Sequence, residues 1–137
     1  PQIMTRSSKG QVELAEFHQW VSPLKESALH VIAENLSILR PQDVVYRYPW
    51  SAYGNVQYRV IIDLTRLDSD SSGHAFIAEN WSIMNERNHQ IMYNGHCEEQ
   101  KTMADTQYTT IAYTFSVLLE VCSQHISYSL DTMHVSQ

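Results

Sequence analysis

The chain has 137 residues, of which 43% are hydrophobic and 18% are charged, and its formal net charge is -6. A chain of this size and composition usually folds as one compact domain, so we expect a single domain over residues 1–137. Its nine Lys and Arg residues are scattered singly, which excludes a basic stripe for binding nucleic acid. No apolar run approaches the roughly 20 residues that a membrane-spanning helix needs.

The first half of the chain alternates between strand and helix patterns. Residues 11–17 alternate polar and apolar side chains and predict a short strand. A long helix is predicted to begin at Pro23, with Ser22 as its N-cap, and to end at Arg40 before Pro41. Its apolar stripe recurs every three or four residues and contains Phe17, Trp20, Val21, Leu24, Ala28, Val31, Ile32, Leu36 and Leu39.

The second half predicts more strands and a second helix. Residues 44–48, 56–67, 74–84 and 89–99 predict strands, and the last three form a meander in which Ile91, Tyr93, Gly95 and Cys97 share a face. Asp105 is predicted to cap the helix, and the final residues are expected to form a polar tail. The apolar stripe of this helix contains Tyr108, Ile111, Ala112, Phe115, Leu118, Leu119, Cys122 and Ile126.

This order of elements predicts an α+β fold. We expect a mostly antiparallel sheet with two long helices packed on one face. The other face carries fewer bulky residues, and we expect it to be either hydrated or covered by a partner.

The two cysteines, Cys97 and Cys122, allow three interpretations. His96 and His125 lie near them in sequence and add donor atoms that zinc prefers, but neighbouring strand residues point to opposite faces, so His96 and Cys97 cannot both reach one ion. Both cysteines occupy inward positions, which favours a disulfide over zinc in an oxidising compartment. Two buried thiols are the third interpretation. The sequence does not decide among them, and we predict no metal and no cofactor.

No catalytic motif is recognisable in the sequence. The nucleophile elbow, the HExxH zinc motif, the P-loop and the glycine-rich dinucleotide turn are all missing. A small hydrolase with an unfamiliar site would need convergent carboxylates or histidines, and His18, His30, His74 and His125 are widely scattered. We therefore expect no enzyme activity.

The three tryptophans divide into two groups. Trp20 and Trp81 fall on apolar stripes, so we expect them in the core. Trp50 follows Pro49 in a loop and belongs to no stripe. It either closes the end of the core or forms an exposed anchor for a partner or a lipid, and we favour the structural role.

An ordered set of segments extends over nearly the whole chain: PQIMTR, ELAEFHQWVSPL, IAENLSIL, VVYRYPW, QYRVIIDLTRL, AENWSI and DTQYTTIAYTFSVLL. In this order and spacing the chain resembles the PqiC-like family of ABC-type transport auxiliary lipoproteins. The most specific parts of the resemblance are PQIMTR, the Trp-x-x-Pro-Leu of residues 20–24 and Tyr48-Pro49-Trp50. The hairpin ERNHQIMYNGHCEEQ departs from the family because it is more polar and richer in histidine.

The resemblance implies a non-enzymatic lipoprotein of the bacterial envelope. It would be made with a signal peptide and a lipobox cysteine, which we expect to precede the opening PQIMTR. Its N-terminal lipid would anchor it to the outer membrane, facing the periplasm. The implied role is to assist lipid transport by docking an MCE-type transport protein, and a homo-oligomer would match a ring-shaped partner.

The alternative function is a carrier that binds phospholipid in an apolar cavity of its own. The family offers no catalytic residues to carry over. As candidate contacts with a partner or a lipid we select five residues: Thr5, Arg6, Tyr48, Trp50 and Tyr53.

Overall fold

The computed structural model describes residues 11–16, 23–47 and 56–135. These residues form five strands and two helices. In chain order the elements are β1 (Gln11–Glu16), α1 (Pro23–Leu39), β2 (Val44–Arg47), β3 (Tyr58–Ser69), β4 (His74–Asn85), β5 (Gln90–Thr102) and α2 (Tyr108–Val135). All the predicted elements that fall on described residues are therefore present, with ends that differ by a few residues except at the end of α2.

The strands form one sheet in the order β2-β1-β3-β4-β5. β1 lies parallel to both of its neighbours, β2 and β3, whereas β3, β4 and β5 form an antiparallel meander. The meander contributes most of the sheet because its strands have 12 or 13 residues. The predicted α+β fold with a mostly antiparallel sheet is confirmed.

The core lies between the sheet and the two helices. Successive strand residues face opposite sides, so alternate residues of β3 and β4 enter the core, as their apolar period predicts. Trp81 is buried here, as predicted, whereas Trp20 lies outside the described residues. The largest core side chains come from both helices and from β3 and β4: Ile32, Leu36, Ile62, Ile77, Ile83, Leu118, Ile126 and Leu130.

The predicted polar tail is wrong, because α2 continues to Val135. Leu130 and Met133 extend the apolar stripe beyond Ile126, and both are buried. The serines between Ile126 and Leu130 make internal contacts: Ser129 Oγ donates to the Ile126 carbonyl oxygen at 2.7 Å. The helical spacing of apolar residues therefore continues to Met133, although the end of the chain is polar on average.

The end of α1 is attached to α2 by Arg40. Its guanidinium is buried and donates to the Asp43 carboxylate at 2.6 Å, to the Ser127 carbonyl oxygen at 2.9 Å and to the Asp131 carboxylate at 2.8 Å. A buried arginine needs this many partners to compensate for its lost hydration. The network fixes the angle between the helices near the point where α1 ends.

The prediction that Ile91 shares a face with Tyr93, Gly95 and Cys97 is wrong. The pairing of β4 with β5 shifts between Ile83, which pairs with Tyr93, and Met84, which pairs with Ile91. One extra residue in β5 therefore moves Ile91 to the outer face of the sheet. Tyr93, Gly95 and Cys97 remain on the face that the helices cover.

Candidate functional site

The five residues predicted to contact a partner or a lipid, Thr5, Arg6, Tyr48, Trp50 and Tyr53, all lie outside the described residues. The candidate surfaces lie on the strands and helices of the described residues. Within these elements, no helix is long and apolar enough to cross a membrane.

Strand β5 forms one edge of the sheet. It has 13 residues and pairs with β4 on one side only among the described strands. From Asn94 onward its outer face is polar: Ser82 Oγ donates to Asn94 Oδ1 at 2.8 Å, and a ring nitrogen of His96 lies 2.7 Å from Asn80 Oδ1. An edge strand presents a row of backbone N–H and C=O groups that can pair with another chain.

The beginning of β5 carries three exposed apolar side chains, which we name the β5 apolar patch. Ile91 is 50% exposed, Met92 is 42% exposed and Tyr93 is 37% exposed. The register shift beside Ile83 places these neighbours on both faces of the strand. Apolar side chains next to an open strand edge are the combination that a pairing partner would cover.

A groove between β5 and α2 adjoins this patch. It has a volume of about 310 Å³ and is lined by Trp81, Tyr93, His96, Gln124, His125 and Tyr128. Its floor is the Trp81 indole, whose Nε1 donates to Ser129 Oγ at 3.2 Å. The indole lies directly over Gly95, where an added Cβ would come within 2.3 Å of two ring atoms. Gly95 is therefore the residue that lets the indole lie flat against β5.

The two cysteines form a disulfide between β5 and α2, the strand and the helix that border the groove. Cys97 of β5 and Cys122 of α2 are bonded with their Cα atoms 5.7 Å apart, so the interpretation that the sequence favoured over zinc is the one found. His96 points to the opposite face, as predicted. A carboxylate oxygen of Glu99 and a ring nitrogen of His125 lie close to the sulfur, and these two atoms and Cys97 Sγ all lie within 4.8 Å of one another.

Glu79 is a buried carboxyl group directly opposite Cys97 in the sheet. It is 0% exposed, and no described residue donates a hydrogen bond to either of its oxygens. Burial disfavours the charged form and raises the pKa of Glu79 from 4.5 to about 7. Glu79 was not among the residues predicted to be functional, although it occupies an inward position between Ile77 and Trp81.

Ser72, His74 and Asp70 meet in the turn between β3 and β4. Ser72 Oγ lies 2.8 Å from both Asp70 Oδ1 and His74 Nδ1, and Asp70 Oδ1 also accepts the backbone N–H of His74 at 3.0 Å. These hydrogen bonds lower the pKa of Asp70. In a hydrolytic triad the histidine would separate the serine from the carboxylate. Here the carboxylate contacts the serine directly, so the cluster is a turn cap around Gly73, whose φ is 92°.

Two further cavities lie elsewhere on the described surface. One, of about 650 Å³, is lined mainly by polar residues at the start of β3 and the β4–β5 turn, including Gln57, Asn85, Glu86 and Arg87. The other, of about 220 Å³, is an open apolar groove between the first turns of α1 and α2. Its lining includes Leu24, Val31, Ile111 and Phe115.

The family model for the ABC-type transport auxiliary lipoprotein component matches residues 1–127. The chain belongs to this family. The resemblance noted from the ordered segments is thereby confirmed. No curated protein matches the sequence.

The fold of this auxiliary lipoprotein is similar to several solved structures. A protein from Xanthomonas campestris has 13% identity and a TM-score of 0.73, with 93% of this chain and 87% of that chain covered. A protein from Caulobacter crescentus has 12% identity and a TM-score of 0.60, with 96% and 94% covered. The PelC dodecamer from Paraburkholderia phytofirmans has 12% identity and a TM-score of 0.58, with 85% and 89% covered. At these identities the similarity shows a shared fold.

Proposed function

We propose that this auxiliary lipoprotein acts without catalysis, by docking a partner protein of a lipid-transport system between the bacterial membranes. Its N-terminal lipid would anchor it to the outer membrane with this domain in the periplasm, and the partner would be an MCE-type transport protein. The observation that carries the proposal is the β5 edge with its apolar patch. Membership of a transport auxiliary family supports the transport role.

The β5 edge has the physical properties that strand addition requires. A partner strand laid beside it would satisfy backbone hydrogen-bonding groups along as many as 13 residues. The apolar patch would contribute burial at one end, and the groove beside Trp81 would accept a side chain from the partner. Alternating pockets and backbone pairing together give both affinity and specificity in this mode of recognition.

A homo-oligomer is part of the proposal. The structurally similar PelC is a dodecamer. Matching cyclic symmetry would let several copies contact a ring-shaped partner at once, and the linked contacts would raise the overall affinity.

The apolar groove between α1 and α2 favours a second candidate, a phospholipid carrier. Leu24 is 47% exposed there and Tyr108 is 83% exposed, so apolar surface is open to a ligand. The volume of about 220 Å³ is below the 300–1,000 Å³ that is typical of small-molecule sites. It would hold part of one acyl chain, which makes docking the stronger proposal.

The test is capture of the periplasmic part of an MCE protein from the same organism, with mass spectrometry of bound protein and bound lipid. We expect the wild-type domain to retain the MCE protein. Ile91→Lys places a charge in the patch and should weaken capture by about tenfold or more. Ile38→Lys is the matched control, because Ile38 is 76% exposed on α1, away from β5, and should leave capture unchanged.

Three results would count against docking at β5. Equal capture by both variants would remove the β5 edge from the interface. Loss of capture in Ile38→Lys alone would move the interface to α1. Stoichiometric phospholipid with no retained MCE protein would replace docking by the carrier function, and Leu24→Asp should then abolish lipid binding.

A further inference from the structure

Four side chains that commonly bind metals converge where β5 meets α2. Cys97 and Glu99 are two residues apart on a strand and therefore point to the same, inward face. Cys122 and His125 are three residues apart on a helix and therefore lie on neighbouring turns of one face. The donor atoms of Cys97, Glu99 and His125 lie within 4.8 Å of one another, and Cys122 Sγ is bonded to Cys97 Sγ.

We propose that reduction of the Cys97–Cys122 disulfide converts this cluster into a Zn²⁺ site. Its ligands would be the two thiolates, the His125 imidazole and the Glu99 carboxylate. In the disulfide the sulfurs are bonded to each other and are not thiolate ligands, so the two states of the cysteines are mutually exclusive. The protein would hold either a covalent bond or a metal ion at the same junction of β5 and α2.

The geometry of the cluster fits a tetrahedral zinc site. With Zn–S distances of about 2.3 Å and Zn–N or Zn–O distances of about 2.0–2.2 Å, the ligand atoms of such a site lie about 3.3–3.8 Å apart. The three donor atoms within 4.8 Å of one another need to approach by at most about 1.5 Å. Once the disulfide is reduced, the two sulfurs are no longer bonded and separate to a non-bonded distance.

The surrounding fold favours entry of the ion from one side. Both sulfurs are buried, whereas His125 is exposed and lines the groove between β5 and α2. An ion could therefore enter past the imidazole and meet the thiolates beneath it. His96 cannot take part, because its ring points to the other face and lies 2.7 Å from Asn80.

The reductant of the disulfide is an external dithiol, such as the Cys-x-x-Cys pair of a thiol oxidoreductase. The dithiol supplies two electrons and two protons, becomes a disulfide itself and leaves two thiols on the protein. Zn²⁺ then displaces both thiol protons as it binds, so two protons are released for each ion. Two thiolates with an imidazole and a carboxylate in tetrahedral geometry favour zinc over magnesium or calcium, which prefer oxygen ligands.

The experiment is a Zn²⁺ titration of the full chain, both oxidised and reduced with an excess of a phosphine that binds zinc weakly, in competition with a chromophoric chelator. We expect one Zn²⁺ per chain in the reduced protein and none in the oxidised protein. His125→Ala and Glu99→Gln should each weaken binding more than the roughly 10–100-fold that loss of a group outside the ligand shell costs. The controls are Glu98→Gln, whose side chain faces away on the same strand, and His30→Ala on the exposed surface of α1, and both should bind as the wild type does.

If reduction unfolds the protein, circular dichroism during the titration measures whether zinc restores the fold. Zinc should then restore the helical signal, because metal binding to a folded site is also folding free energy. Co²⁺ should give the intense visible bands of tetrahedral thiolate coordination. The proposal is overturned if the reduced protein binds no more zinc than the oxidised protein, if zinc fails to restore a lost fold, or if His125→Ala and Glu99→Gln bind zinc like the wild type.

Discussion

Two strands of the sheet each bury a glutamate, and the two carboxyl groups have different neighbours. Glu13 on β1 and Glu79 on β4 are both 0% exposed. Glu13 lies on the outer face and forms an ion pair with Arg59 at 2.8 Å, and Arg59 also contacts Glu86 at 2.7 Å. Glu79 lies on the inner face among apolar side chains, and no described residue forms an ion pair or a hydrogen bond with its carboxyl group.

The two carboxyl groups are equally buried but have different neighbours. A cation beside a buried carboxylate compensates for part of its lost hydration. Without a cation, the group remains buried only at the cost of a preference for its neutral form. In the β1–β3 part of the sheet the free energy of unfolding therefore depends on an ion pair, whereas at Glu79 it depends on pH.

The largest effect is expected from removing the cation in the first site. Arg59→Met keeps much of the aliphatic stem but leaves Glu13 buried without compensation, with Glu86 close by. Breaking a buried ion pair in this way costs about 3–5 kcal/mol of the free energy of unfolding. Urea denaturation at pH 7 measures this loss.

A matched control is Arg66→Met. Arg66 forms an exposed ion pair with Asp68 at 2.9 Å, and such pairs contribute about 1 kcal/mol or less. Combining Arg59→Met with Glu13→Gln should recover part of the loss, because the uncompensated charge is then removed. A loss for Arg59→Met no greater than that for Arg66→Met would mean that Glu13 does not need its partner.

The second prediction concerns the pH dependence that Glu79 produces. Its folded-state pKa is about 7 and its ordinary value is 4.5. Between these values the folded protein binds more protons than the unfolded chain, so stability falls as pH rises. Below about pH 4.5 the ionisation of Glu79 costs no stability. Between pH 4.5 and 7 it lowers the free energy of unfolding progressively, and above pH 7 the total loss is about 3 kcal/mol.

Glu79→Gln removes the titration while keeping the shape of the side chain. We expect the variant to be more stable than the wild type at pH 8 and similar to it at pH 4.5, as measured by denaturation at a series of pH values. Glu98→Gln, on the exposed face of β5, should follow the wild-type curve. Parallel curves for Glu79→Gln and the wild type would show that Glu79 is hydrated or paired in solution.

The sequence pattern predicts part of the difference between the Glu13 and Glu79 sites. The alternation of Val60, Ile62 and Leu64 predicts β3 and its inner face, and the same period places Glu79 inward between Ile77 and Trp81. The pattern therefore identifies Glu79 as a charged residue at a core position. The inward positions of Cys97 and Cys122 likewise favoured the disulfide that the structure contains.

Other features had no local signal. Glu13 alternates with Val12 and Leu14 like an exposed residue, and its ion pair with Arg59 depends on the pairing of β1 with β3, which the alternation of one strand does not specify. The exposure of Ile91 depends on a register shift that a strand's own sequence does not specify. The approach of Glu99 and His125 to Cys97 depends on the packing of α2 against β5, which follows from tertiary structure alone.

The smallest effect is expected at Gly95, whose missing side chain lets Trp81 cover the inner face next to Glu79. In Gly95→Ala the new Cβ would meet indole atoms at 2.3–2.7 Å, so the ring must move and its hydrogen bond to Ser129 is disturbed. Overpacking of this kind costs about 1–3 kcal/mol, against about 0.5 kcal/mol or less for the exposed control Gln100→Ala. A displaced indole also admits water to Glu79, so the fall in stability between pH 4.5 and 7 should become smaller than in the wild type. An unchanged pH dependence in a destabilised Gly95→Ala would show that Trp81 packs the core without shielding the carboxyl group.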